Sequence, residues 1–217
     1  MGRKPDTIAI WENAAVKELA LHLISARYAT SPFPDGIPPM HGTAIHERID
    51  ITVLVRDRLW TETREIFRTI PLIDDVEYFE ISSDIPAVIT AISDIIVRSK
   101  TPNNGLSHRF YFKEKLKRGK PAEISFIMKP DGTRDAELTL KEETRAFHLP
   151  TLAHGMEIMF IGDRPKIIWH YSHLPLYERP GVPTKKQLID LAGGGSARVE
   201  WSDLYGGLYS GIAWEWE

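Results

Sequence analysis

The sequence predicts an α+β fold, and three observations predict it. A short stretch near position 50 alternates apolar and polar residues with period two. The segments before and after it carry apolar residues at helical spacing. From Arg109 the chain reads as β-rich.

The elements follow in order. Residues 7–28 place Trp11, Ala15, Val16, Leu19, Ala20, Leu23 and Ala26 near helical spacing behind Thr7 as N-cap, which predicts an amphipathic helix. Residues 31–39, Ser-Pro-Phe-Pro-Asp-Gly-Ile-Pro-Pro, break any regular structure. In Arg48–Val55 the residues Ile49, Ile51, Val53 and Val55 alternate with polar neighbours and predict a strand. Residues 57–69 put Leu59, Thr63, Ile66 and Ile70 on one stripe and predict a helix. Residues 76–81 predict a second strand. Ser82 or Ser83 then caps a second helix striped by Ile85, Val88, Ile89, Ile92, Ile95 and Ile96. Arg109–Lys115 alternates aromatics with charge. Residues 122–140 predict a hairpin turning at Pro130-Asp131-Gly132, and 156–171 a second one turning at Gly162-Asp163-Arg164-Pro165. Residues 184–192 predict a short helix closed by Gly193-Gly194-Gly195, and Leu208, Ile212, Trp214 and Trp216 a final strand. The expected architecture is an N-terminal helix, a strand–helix–strand–helix unit and a mostly antiparallel, β-rich C-terminal half. It forms one compact domain over 1–217, with the helix of residues 1–30 set off, if anywhere, by 31–39.

Composition narrows the function classes. With 42% hydrophobic and 26% charged residues the chain can bury a core, which separates it from disordered sequences. A net charge of −3 argues against a general nucleic-acid or anionic-membrane binder. The absence of cysteine removes disulfides, thiolate nucleophiles and Cys-ligated metals. No run approaches the ~18 apolar residues of a membrane span. The start, Met1-Gly2-Arg3-Lys4-Pro5-Asp6, has no signal-peptide core, so a cytoplasmic location without membrane attachment is expected. No Walker A loop, dinucleotide fingerprint or nucleophile elbow occurs.

Three groups of residues carry what chemistry remains. Six of the eight histidines fall in the pairs His41/His46, His148/His154 and His170/His173. Imidazole is both a common metal ligand and an acid/base near neutral pH. His46, His148, His154 and His173 are the candidate ligands of a divalent metal, the only cofactor the sequence suggests. His41-Gly42-Thr43 and His170-Tyr171-Ser172 both fit His-x-Ser/Thr, which resembles the paired motifs of 2H phosphoesterases. That resemblance implies His41 and His170 as a catalytic acid/base pair on a phosphodiester. The sequence departs from the family where His41 follows Pro38-Pro39-Met40 instead of lying in an apolar strand.

The second group is basic and aromatic. Between Ser107 and Lys120 six cations, Arg109, Lys113, Lys115, Lys117, Arg118 and Lys120, face one Glu114, a local charge of +5. Phe110 and Phe112 point one way, and Arg109, Tyr111 and Lys113 the other. Such a strand suits an acidic protein partner or a nucleic acid. The third group is the aromatic C-terminus. There Trp214 and Trp216 suit a core strand, and Tyr205 and Tyr209 an exposed contact surface. The leading expectation is a non-catalytic binding protein for a partner macromolecule, of inhibitor, immunity or adaptor type. It would use Arg109, Tyr111, Lys113, Lys115, Lys117, Arg118, Tyr205 and Tyr209. The alternatives are a histidine-based or metal-dependent hydrolase and a nucleic-acid-binding accessory protein. Whether the chain is an enzyme, and whether it self-associates, stays open at this level.

Overall fold

The computed structural model describes residues 15–16, 44–83, 85–100, 106–132, 140–191 and 193–216. These residues form an almost wholly β protein, which overturns the expected α+β class. Twelve strands are described: β1 Ala44–Arg56, β2 Leu59–Pro71, β3 Val76–Ser83, β4 Ala87–Ala91, β5 Ile95–Lys100, β6 Leu106–Leu116, β7 Ala122–Pro130, β8 Glu142–Phe147, β9 Thr151–Ile161, β10 Ile167–Leu174, β11 Ser196–Leu204 and β12 Leu208–Glu215. They make a six-stranded sheet in the order β11-β9-β1-β2-β7-β4 and two three-stranded sheets, β10-β12-β8 and β3-β6-β5. One core cluster draws on all three sheets, from Ile49 and Phe67 through Phe110 and Phe126 to Ile212 and Trp214. The described fragment of the expected N-terminal helix, Ala15 and Val16, is helical, and the rest of that helix lies outside the described residues.

Each mispredicted helix has a physical reason. Residues 57–69 are strand β2, joined to β1 by a two-residue hairpin loop, Asp57-Arg58, with φ of 48° and 72°. Both loop residues at positive φ is the type I′ pattern, whose usual sequence is Asn-Gly; Asp-Arg hides it. The inward row of β2 is Thr63, Glu65, Phe67 and Thr69, all buried, while Arg64, Ile66 and Arg68 face out. Period two is complete once threonine and glutamate count as core residues, which a hydropathy pattern does not do.

The segment that carries the expected second helix, from Ile85 on, is β4, a bend and β5. Ile85, Ile89, Ile95 and Val97 pack on the core, and Val88, Ile92 and Ile96 point outward. The bend at 92–94 shifts the phase of the alternation, so two short strands together imitate a 3.6-residue stripe. The oxygen of Ser83 accepts from the Ile85 N–H at 3.2 Å, a local turn where a helix cap was expected. The described part of the expected 184–192 helix, residues 184–191, runs irregularly along β10: the His170 N–H donates to the Gln187 carbonyl and the Ile189 N–H to the Ile168 carbonyl.

Two expected hairpins are also corrected or left open. The strands over 156–161 and 166–171 exist, but β9 pairs with β1 in parallel and with β11, whereas β10 pairs with β12. The first arm of the 122–140 hairpin is β7, flanked by β2 and β4. Most of its second arm lies outside the described residues. The terminal strand is β12, with Ile212 and Trp214 fully buried. No described helix is long and apolar enough to cross a membrane.

Candidate functional site

Two groups of polar side chains stand out, one inside the molecule and one on its surface. The surface group is on the three-stranded sheet β3-β6-β5. Phe110 on β6 is fully buried, and Phe112 packs against the core. Strand alternation therefore turns Arg109, Tyr111 and Lys113 outward, as the sequence pattern implies. The register sets their neighbours: Tyr111 pairs with Tyr78 on β3 and Ile96 on β5, and Arg109 pairs with Glu80 and Arg98.

The result is a stacked surface. The Tyr78 and Tyr111 rings lie 5.2 Å apart, with the Arg109 guanidinium 4.8 Å from the Tyr78 centroid and that of Arg98 4.9 Å from the Tyr111 centroid. Arg109 donates to Glu80 at 2.7 Å, and this bond raises its pKa above the ordinary guanidinium value. Beside Tyr111 lies its cross-strand partner Ile96, 52% exposed. Val88 and Ile92, on β4 and the bend that follows it, are exposed as well, but they belong to the edge of the six-stranded sheet.

The basic charge is largely compensated within the fold. Lys113 pairs with Asp94 at 2.5 Å, Lys115 with Glu77 at 2.6 Å and Lys117 with Asp75 at 2.7 Å. Together with Arg109 and Glu80 that is four cations against four carboxylates, net zero. The Arg118 backbone N–H donates to Asp74. Tyr205 is 51% exposed in the turn before β12, far along the chain from these strands. Tyr209 lies under the Arg179 guanidinium at 4.5 Å and packs on the small cluster around Trp169 and Tyr171.

The interior group faces the inner side of the β10-β12-β8 sheet. Glu65 of β2 is fully buried and ion-paired to Arg145 of β8, whose guanidinium also lies 5.7 Å from the Phe67 ring. Glu143 lies two residues before Arg145 on the same face. Burial, with the Glu65 charge adding to it against the opposing pull of Arg145, pushes its carboxyl up to about 8. Next to them His154 of β9 stacks on Trp201 of β11, its cross-strand partner, with centroids 5.3 Å apart. The His154 Nδ1 lies 3.1 Å from the Ile49 carbonyl. A carbonyl only accepts, so Nδ1 carries the proton and Nε2 the lone pair. Burial lowers the His154 pKa to about 4, so this imidazole is neutral.

The histidine pairs separate in the fold. His154 and His170 flank the same Trp201, His170 at 6.4 Å between centroids. His46 lies buried between Phe67 and Phe79, with Nδ1 2.9 Å from the Thr69 hydroxyl. His148 is buried just after β8, and His173 is exposed near the end of β10. His41 lies outside the described residues. Among the described residues no group of three or more His, Asp or Glu side chains is arranged to hold a metal ion. Tyr171, between the two residues His170 and Ser172 of the His-x-Ser triplet, donates its hydroxyl to Glu142 at 2.7 Å; burial and that neighbouring carboxylate raise its pKa.

Tyr78, Ile96 and Arg98 were not among the residues singled out from the sequence. Tyr78 was legible as an outward position once β3 and β6 are paired. Ile96 was placed in the apolar stripe of the expected second helix, and that helical reading also hid the outward position of Arg98. Glu65 and Arg145 are 80 positions apart, and no local pattern links them.

No known protein family matches the chain, and no curated protein sequence matches it. Among solved structures it is similar to an aminopeptidase N family protein from Idiomarina loihiensis, with 11% identity and a TM-score of 0.34 over 76% of this chain. The match spans 29% of that protein, so the chain corresponds to under a third of its length. A likeness of this size carries no argument about fold or activity.

Proposed function

We propose that this is a non-catalytic binding protein that recognises a partner protein through the outer face of β3-β6-β5. The observation that supports this reading is the quartet Tyr78, Tyr111, Arg98 and Arg109, in ring and guanidinium contact, beside the exposed Ile96. Tyrosine and arginine are enriched at protein interfaces, and an exposed aliphatic such as Ile96 supplies the apolar contact beside them. The compensated lysines favour a protein over a nucleic acid, because paired surface charges attract phosphate weakly. The hydrolase reading draws less support. His46 is engaged by Thr69 and two phenylalanines, His154 by the Ile49 carbonyl and Trp201, and His173 is exposed.

Affinity capture from a native lysate tests the proposal, with the full chain as bait and variants alongside it. A partner recovered by the wild type is expected to be lost with Ile96→Asp and with Tyr111→Ala. It should be retained with Tyr177→Ala, which alters an exposed tyrosine on the 3₁₀ turn Leu176–Glu178. Equal recovery by all three variants would overturn the assignment of this face.

A further inference from the structure

We infer that the partner presents an acidic, extended segment to this face, and that Arg98, with Lys100 beside it, binds the carboxylates. The inference rests on the protein-binding reading above and adds the chemistry of the partner. Arg98 stands directly across from Arg109 in the antiparallel β5–β6 pair. Like charges at directly opposed positions destabilise a sheet. Arg109 is discharged by Glu80, but among the described residues Arg98 has no ion pair and no side-chain hydrogen bond. Its guanidinium is held over the Tyr111 ring, which orders the side chain and leaves its N–H groups unsatisfied by carboxylate. Lys100, two residues on and therefore on the same outward side, likewise makes no ion pair among the described residues.

Among the described residues, β5 thus carries two uncompensated cations, while Arg109, Lys113 and Lys115 on β6 and Lys117 just after it each have a carboxylate. Their alternate spacing on a strand is close to 7 Å, which matches alternate side chains of an extended peptide. Planar guanidinium against carboxylate is also the stronger, bidentate form of ion pairing. Ile96, one alternation before Arg98, would receive an apolar side chain of the same segment.

The test uses the full chain and fluorescence anisotropy with a labelled oligoglutamate peptide at low salt. Oligoglutamine and oligothymidylate serve as comparison probes. Oligoglutamate is expected to bind, with affinity falling as salt is added. Arg98→Gln is expected to weaken it roughly tenfold, and Lys100→Gln by less. Thermal unfolding of Arg98→Gln confirms that the variant folds, since removing one of two opposed cations does not destabilise the sheet. Oligoglutamate that fails to bind, or binds Arg98→Gln equally well, overturns the inference; so does tighter, Arg98-dependent binding of oligothymidylate. Partner capture separates the two levels. Recovery abolished by Ile96→Asp yet unchanged by Arg98→Gln overturns the acidic segment and leaves the protein-binding reading standing. Recovery unaffected by either variant overturns both.

Discussion

An arginine, a glutamate and an aromatic ring meet twice in this protein. In the interior, Arg145 pairs with Glu65 and lies over Phe67; on the surface, Arg109 pairs with Glu80 and lies over Tyr78. The inner glutamate is fully buried, whereas the outer pair keeps 30% and 14% of its side-chain surface. The local contacts are alike, but the solvent is not. Inside, the Glu65 carboxylate cannot be satisfied by water if Arg145, itself 16% exposed, is removed, so the pair is bound into the fold. Outside, water reaches the arginine if its partner is lost, so the pair adds little to stability. Similar contacts are bound into the fold in one place and largely dispensable to it in the other because the solvent differs.

The largest test of this contrast is Arg145→Ala. It leaves the Glu65 carboxylate buried and unpaired, and should cost about 3–5 kcal/mol in urea unfolding. Arg109→Ala, the matching surface change, should cost about 1 kcal/mol or less. Equal losses would break the comparison.

A second test is the pH dependence of stability. The Glu143 carboxyl has a folded pKa of about 8 against an ordinary 4.5, so the folded state holds a proton that the unfolded state releases. Its contribution is fully present below about 4.5 and is lost as pH rises through about 8. His154 works in the opposite direction. Its pKa of about 4 lies below the ordinary 6.5, so its contribution is present above 6.5 and is lost as pH falls through about 4. Glu143→Gln should remove the alkaline loss, on the order of a few kcal/mol, and leave the acidic limb in place. Melting temperatures measured from pH 4 to pH 9 read both limbs. An alkaline slope that persists in Glu143→Gln would detach it from this cluster.

The smallest expected effect is on the surface. Arg98→Gln should change the stability of the free protein by no more than about 0.5 kcal/mol, because relief of the opposed Arg98–Arg109 pair offsets loss of the cation–π contact with Tyr111. A clear loss of stability would mean that Arg98 is part of the fold in the way Arg145 is.

How much of this was legible beforehand depends on the kind of residue carrying the signal. Strands β1 and β6 were readable because isoleucines and valines, or phenylalanines, alternate with charges. The outward set Arg109, Tyr111 and Lys113 followed from the same alternation. Strand β2 was not readable, because its inward row includes Thr63, Glu65 and Thr69, and a polar residue at a core position looks like a surface one until its partner is known. The β4–β5 segment was misread for a different reason: a bend between two short alternations, which go on to join different sheets, produced a false helical period.

The sequence by itself determined which chemistry is excluded by the lack of cysteine, where several strands lie, and which side of β6 is apolar. These are local properties, set by residue type and by the two-residue repeat of an extended chain. Only the tertiary structure decided that β9 joins β1 and β11, that Glu65 meets Arg145, and that Arg98 faces Arg109. Those pairings depend on contacts between distant segments, and their strength comes from burial, which no single segment possesses until the sheets come together.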